Sequence, residues 1–221
     1  RKRLIECLTE IPYEHIKLTA DLVEASKISS GNVKLDMQVI DLVELVYQTS
    51  GEFNEKFEQK ELTIVTKLPK TAVLIRADGR QLYRVIENLY NNVAKYALEK
   101  TRVYVDIAYV EEKVVFSIKN VSEHSLAREN SNAGDLTERF IRGDSSRTTE
   151  GSGLGLSIAK SLTVLMGGVF DIKVDGDLFK ASITFPQYVD ENSSNPKMEE
   201  PASEDDYEIE ELEPEERTEE E

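Results

Sequence analysis

The sequence predicts an α+β fold: a two-layer α/β sandwich in which a mixed, mostly antiparallel sheet carries helices on one face, preceded by a further helix. Strict alternation over 102–110 and 113–120, which the residues EE separate, predicts one hairpin, and 168–174 with 178–185 on either side of DGD predict a second, closing hairpin. Segments with helical apolar spacing lie before and between these pairs. A chain of 221 residues suffices for one such domain with appendages.

The remaining elements follow in chain order from local signals. Residues 3–29 have helical apolar spacing that Pro12 interrupts, so a bent helix is expected to lead into the domain. Alternation then predicts a strand over 33–39, and Asp41 is a suitable N-cap for a helix that ends near Gln59. The next elements are strands over 62–68 and 73–77 about a turn at Pro69, a helix over 80–98 capped by Asp78, and a helix over 155–166.

A polar segment from Val121 to Glu150 has no strong period. Loops of about thirty residues inside a compact domain are uncommon and usually functional, often as lids. This one precedes the sequence GSGLGLSIAK, residues 151–160. A functional lid beside a glycine-rich turn is therefore expected.

The acidity of the chain is concentrated at its C-terminus. Residues 189–221 hold 16 acidic and 2 basic residues and so carry −14 of the total net charge of −16. With three prolines and no evident hydrophobic period, this tail is expected to be disordered, serving either as a solvated tail or as a protein-binding one. The predicted organisation is 1–32 as helix and linker, 33–188 as the folded domain and 189–221 as the tail.

Composition excludes several classes of function. The near-neutral folded part has no basic stripe, which argues against nucleic-acid binding. Cys7 is the single cysteine, so a disulfide framework or zinc cluster is excluded and a reducing compartment fits. No stretch approaches the ~20 apolar residues that cross a bilayer. Because the chain begins at Arg1 without a signal peptide, we expect it to be the C-terminal piece of a longer protein, with membrane attachment upstream left open.

The glycine-rich turn lacks the lysine and spacing of a P-loop, and its G-x-G-x-G spacing differs from that of dinucleotide-binding folds. What remains is flexible backbone leading into a helix N-terminus, which can bind an anion. A tight loop packed on the sheet is the alternative.

A polar stripe lies on the helix that Asp78 caps. At 100° per residue, Asn88, Asn92, Lys95 and Tyr96 fall within about a quarter of its circumference. Amide oxygens suit Mg²⁺ and a lysine can neutralise phosphate, although a solvated helix face is the simpler interpretation.

The end of the polar segment, LTERFIRGDSSRTTEG, places Arg139, Arg142 and Arg147 around Phe140. An aromatic anchor with inward-reaching arginines would suit a closing phosphate clamp. A surface turn whose phenylalanine plugs the core is the alternative.

The order of these motifs resembles the catalytic, ATP-binding domain of bacterial sensor histidine kinases, part of the GHKL family with the Bergerat fold. The pattern is N-L-x-x-N-x-x-K-Y, then E-R-F-x-R-x-D-x-S-R, then G-[ST]-G-L-G-L, and the resemblance covers about 33–186. Residues 15–35 also resemble the end of the second dimerisation helix of such kinases.

The resemblance implies specific roles. Asn92 would coordinate Mg²⁺, and the residues with a catalytic role would be Asn88 near the triphosphate and the phosphate-binding Lys95 and Arg142. The residues implied in nucleotide binding are Asn88, Asn92, Lys95, Tyr96, Asn120, Arg142, Gly151, Ser152, Gly153, Leu154, Gly155 and Leu156. ATP-hydrolysing relatives carry a glutamate at the position of Asn88, and because an amide is no general base, a kinase is favoured over an ATPase.

One segment departs from the family pattern. Asn120 stands where the family has the aspartate that accepts a hydrogen bond from adenine, and Ser122 and His124 replace two glycines. Asn120 can still accept through its carbonyl oxygen, without the charge. Either a variant floor binds ATP or the site is degenerate.

The implied reaction is transfer of the γ-phosphoryl of ATP to a histidine. Neither His15 nor His124 lies in a phosphoacceptor motif, so the acceptor is expected upstream of Arg1. The implied partners are ATP, a His-bearing dimerisation domain and a response regulator, in a homodimer with this part in the cytoplasm and the full-length protein anchored in the membrane. The alternatives are a degenerate module that acts through protein contacts and a GHKL serine kinase.

Overall fold

A computed structural model describes Ser26, residues 33–123 and 154–189, and the backbone of residues 207–212. Ser26 is helical, and the rest of the predicted leading helix lies outside the described residues. The same holds for the greater part of the predicted lid and of the tail. Among the described helices, none is both long and apolar enough to span a membrane.

The described residues form three helices and eight strands. The helices are α1 (Leu42–Glu58), α2 (Gly79–Tyr96) and α3 (Gly155–Leu165). The strands are β1 (Met37–Asp41), β2 (Thr63–Pro69), β3 (Leu74–Asp78), β4 (Arg102–Val110), β5 (Lys113–Val121), β6 (Val169–Asp175), β7 (Leu178–Pro186) and β8 (Tyr207–Leu212).

The main sheet has six strands in the order β6-β7-β5-β4-β2-β8. Among the described strands, only the β2–β4 pair is parallel, and β1 pairs with β3 in a separate antiparallel ribbon. Alternate positions of β4 and β5, among them Val105, Phe116 and Ile118, are fully buried. The predicted mixed, mostly antiparallel α+β architecture is confirmed, as are both predicted hairpins.

Two aspartates fix where α1 and α2 begin, as predicted. Asp41 Oδ1 accepts hydrogen bonds from the backbone N–H groups of Val43 and Val73, at 3.0 and 3.1 Å. Asp78 Oδ1 accepts from the N–H groups of the first helical turn, and its Oδ2 accepts from Asp36 N–H at 2.9 Å. Burial raises the pKa of Asp78, but these donors outweigh it and hold the pKa below its usual value.

The end of α3 is fixed by two glycines. Gly167 has φ +83°, and the N–H of Gly168 bonds to Thr163 O at 2.9 Å, which closes the helix. A Cβ on Gly168 would lie 2.7 Å from the ring of Phe185 in β7, so only glycine permits this approach of α3 to the sheet.

Three predicted boundaries need correction. The first strand begins at Met37 instead of residue 33. Pro69 belongs to β2, so the turn follows it. Helix α2 ends at Tyr96 instead of residue 98, because Ala97 turns extended and forms a bridge with Ser122.

The tail also differs from its prediction. Residues Tyr207–Leu212 form β8, antiparallel to β2 with six residue pairs, so the expectation of disorder is wrong for this segment. Its first residues, YEIE, alternate apolar and acidic residues, a short strand signal within a strongly acidic background. Strand β2 supplies the free edge that this segment needs as a partner.

Candidate functional site

Helix α2 divides into a core-facing side and a polar stripe. Val85, Ile86, Leu89 and Val93 are at most 1 % exposed, which anchors the helix on the sheet. The predicted stripe of Asn88, Asn92, Lys95 and Tyr96 is only partly buried. Lys95 Nζ lies 5.1 Å from the centre of the Tyr96 ring, so the cation and the aromatic ring stand together at the end of the helix.

The start of α3 lies directly against this stripe. A Cβ built on Gly155 would be 3.1 Å from Asn88 Oδ1, so the glycine lets the helix start approach the amide closely. No side chain caps α3 at Leu154, its N-cap, among the described residues. Leu156 is buried below. The backbone N–H groups of the first turn can therefore bind an anion beside Asn88.

Asn120 occupies the inner face of the sheet near the end of β5. Asn120 is only 2 % exposed, and its side-chain Nδ2 donates a hydrogen bond to Val121 O at 3.0 Å. Its Oδ1 has no hydrogen-bond partner among the described residues. Since leaving a buried acceptor unpaired costs about 1–3 kcal/mol, a ligand that donates to this oxygen would be favoured.

Backbone contacts connect Asn120 with the end of α2. The N–H of Leu98 donates to Val121 O, and the N–H of Glu123 donates to Tyr96 O, both at 2.9 Å. Ser122, which stands in place of a family glycine, is 7 % exposed and bridges Ala97. Asn120 Oδ1 is thus held next to the Lys95–Tyr96 end of the polar stripe.

Gln81 was missed by the sequence analysis. Its Oε1 is a second buried side-chain oxygen without a partner among the described residues. Gln81 lies seven residues before Asn88, which at 100° per residue puts both on one side of α2. Extending the helical stripe by two turns would have found it.

Several predicted site residues lie outside the described residues: Arg142, Gly151, Ser152 and Gly153, together with Phe140 and His124. Their roles remain predictions. Among the described residues no group of three or more His, Cys, Asp or Glu side chains could hold a metal ion.

A sequence profile described as histidine kinase-, DNA gyrase B- and HSP90-like ATPases matches residues 77–197. The chain belongs to this ATPase family. The matched span begins just before α2 and includes Asn120 and Gly155. The predicted resemblance to the ATP-binding domain of sensor histidine kinases is thereby confirmed.

Similar curated proteins include a sensor histidine kinase, WalK, of Bacillus subtilis and an alginate biosynthesis sensor protein, KinB, of Pseudomonas aeruginosa. They are 26 % and 27 % identical over 77 % and 75 % of this chain, respectively. The alignments span only 28 % and 27 % of those relatives.

Solved structures share the fold. The histidine kinase AdeS of Acinetobacter baumannii matches with a TM-score of 0.61 and 17 % identity, over 76 % of each chain. Full-length ShkA, crystallised in complex with AMPPNP, matches with a TM-score of 0.65 and 21 % identity, over 79 % of this chain and 36 % of that one.

Proposed function

We propose that this chain is the ATP-binding catalytic part of a sensor histidine kinase and transfers the γ-phosphoryl of ATP to a histidine on a dimerisation domain. The observation that carries the proposal is the buried Oδ1 of Asn120 at the end of the α2 stripe, which has no hydrogen-bond partner within the described part of the chain. The adenine amino group is a donor that would satisfy this acceptor. The similar proteins named sensor kinases support the reaction type.

The phosphates would lie along the α2 stripe, between its Lys95–Tyr96 end and Asn88. The backbone N–H groups at the start of α3 and the amide of Asn88 would bind them, with Lys95 and Arg142 neutralising charge. Tyr96 would line the nucleotide pocket. Leu154 and Leu156 would support the phosphate turn, since both pack against the core.

The residues present fit a magnesium ion that ATP brings with it. Mg²⁺ prefers hard oxygen ligands and usually takes few from the protein, leaving the others to phosphate and water. Asn92 would supply its amide oxygen, with Asn88 beside the triphosphate. The ion would neutralise charge on the phosphates during transfer.

The protein itself contributes mainly positioning and electrostatics. Because Asn88 carries an amide, no general base stands at the position where hydrolysing relatives activate water, and the phosphoryl group is kept for histidine. The acceptor would lie on a dimerisation domain of the full-length protein, a homodimer anchored in the membrane with this part in the cytoplasm. A response regulator would receive the phosphoryl group next.

The test is transfer in trans. Purified chain is mixed with Mg·ATP labelled at the γ-phosphate and with the dimerisation domain of the full-length protein. Label should appear on the dimerisation domain and not on this chain, and Asn88→Ala should abolish it. A degenerate module, which the serine at position 122 would favour, predicts neither ATP binding nor transfer. Labelling of this chain alone would also refute the proposal.

A further inference from the structure

The C-terminal segment Tyr207–Leu212 pairs with six of the seven residues of β2, at the edge of the main sheet. The register runs from Pro69 opposite Tyr207 to Ile64 opposite Leu212. The other neighbour of β2 is β4. Within the described residues, β8 therefore pairs with the backbone groups on the side of β2 that faces away from β4. We propose that the β2 edge is a strand-binding site, that this chain's own segment 207–212 occupies it in cis, and that the segment exchanges with the same sequence supplied from outside.

The covalent path favours pairing within one chain. The N–H of Tyr188 donates to Leu74 O at 2.8 Å, which fixes where the tail leaves the domain. Leu74 lies five residues after Pro69, a stretch of chain that spans at most roughly 18 Å. One strand spacing of about 5 Å separates Tyr188 from Leu74, and another separates Pro69 from Tyr207. The tail therefore starts within roughly 28 Å of Tyr207. A flexible linker of 18 residues, the length of the segment 189–206, has a typical end-to-end distance of about 21–25 Å, and a span that matches this distance gives a high effective concentration.

The strength of the pairing favours exchange. Pairing over six residues at a sheet edge forms few hydrogen bonds, and each contributes only about 0.5–1.5 kcal/mol net. The flanking acidic residues add repulsion between tails, which opposes pairing between two chains. Tethering therefore holds the strand in place, and a free peptide of the same sequence competes only once the tethered strand is released.

The site is separate from the proposed nucleotide site. Strand β4 lies between β2 and β5, the strand that carries Asn120. Loss of β8 is therefore expected to leave ATP binding unchanged. The proposed strand-binding site does not depend on the proposed kinase function, and each can be tested without the other.

Amide hydrogen exchange on the 221-residue chain tests the proposal. Glu210→Pro removes an N–H from the middle of β8 and fixes its φ, whereas Ser203→Pro changes the connector and spares the strand. Alternate amides of β2 should exchange at least tenfold faster in Glu210→Pro, with β5 unchanged, while Ser203→Pro should match the parent. A synthetic peptide of residues 203–216 should restore protection to Glu210→Pro, and a peptide with the same proline should not.

Three results would overturn the proposal. Unchanged β2 exchange in Glu210→Pro would show that β8 does not occupy the edge. Failure of the peptide to restore protection would refute exchange. Protection in the parent that falls on dilution, together with a dimer by light scattering, would assign the strand to a second copy instead of the same chain.

Discussion

From the close approach of Gly155 to Asn88 we predict that Gly155→Ala lowers phosphoryl transfer without lowering stability. A Cβ at position 155 would lie 3.1 Å from Asn88 Oδ1, whereas ordinary contact begins near 3.4 Å, so the amide must move by about 0.3 Å. The affected atom is the end of a flexible side chain, and alanine favours helix more than glycine, so Gly155→Ala should unfold at the parent's temperature or slightly above it.

Phosphoryl transfer should respond differently. A misplacement of about 1 Å costs ~10²-fold in rate, so a shift of about 0.3 Å corresponds to roughly a fourfold loss. Gly51→Ala is the matched control: Gly51 lies within α1, and no atom of the described residues lies within 4 Å of its added Cβ. It should stabilise the chain by about 0.5–1 kcal/mol, raising Tm by about 1–4 °C, with transfer unchanged. Calorimetry measures the Tm of both variants, and the trans-phosphorylation assay measures their rates of transfer. Equal transfer by the two variants would refute a role for Asn88 beside the phosphates.

Three further predictions concern Asn120 and two tyrosines. Asn120→Leu removes the Oδ1 that has no partner among the described residues, while Val121 O keeps the N–H of Leu98 as a donor. Stability should therefore be unchanged, while titration should show an affinity for ATP that is about tenfold lower. An unchanged affinity would contradict the proposed role of Asn120. The hydrogen bond from Tyr83 to Glu52, at 2.6 Å, raises the pKa of Tyr83 to about 12, so its stabilisation is complete below pH 10 and lost as pH rises through 12. Denaturant titrations should therefore show a smaller loss of stability over that range in Tyr83→Phe, and equal losses would argue against the bond. Ser50→Ala should cost about 1–3 kcal/mol because it strands the buried hydroxyl of Tyr90, and adding Tyr90→Phe should recover part of that cost in chemical denaturation; strictly additive losses would exclude the coupling.

Much of the fold was predictable because local signals agree with it. Asp41 and Asp78 are N-caps whose side chains bond to the helix starts, and both predicted hairpins form. The polar stripe of α2 followed from helical geometry alone. The family resemblance rested on the order of motifs, which the profile match supports.

What escaped prediction depends on tertiary contacts. Strand β8 needs the free edge of β2, and six residues within an acidic tail give little local signal. The early end of α2 depends on a bridge between Ala97 and Ser122, which lie on different elements. The burial of Asn120 Oδ1 and Gln81 Oε1, neither of which has a partner in the ranges that the structure describes, likewise becomes evident only once the helices pack on the sheet.

The most direct test of the central claim is isothermal titration of this chain with a non-hydrolysable ATP analogue, with and without Mg²⁺. Binding of one nucleotide per chain is predicted, strengthened by Mg²⁺, and Asn92→Ala should lose the Mg²⁺-dependent gain while keeping weak binding. No heat under either condition would contradict the account, and an Asn92→Ala variant with undiminished Mg²⁺ dependence would contradict the proposed metal ligand.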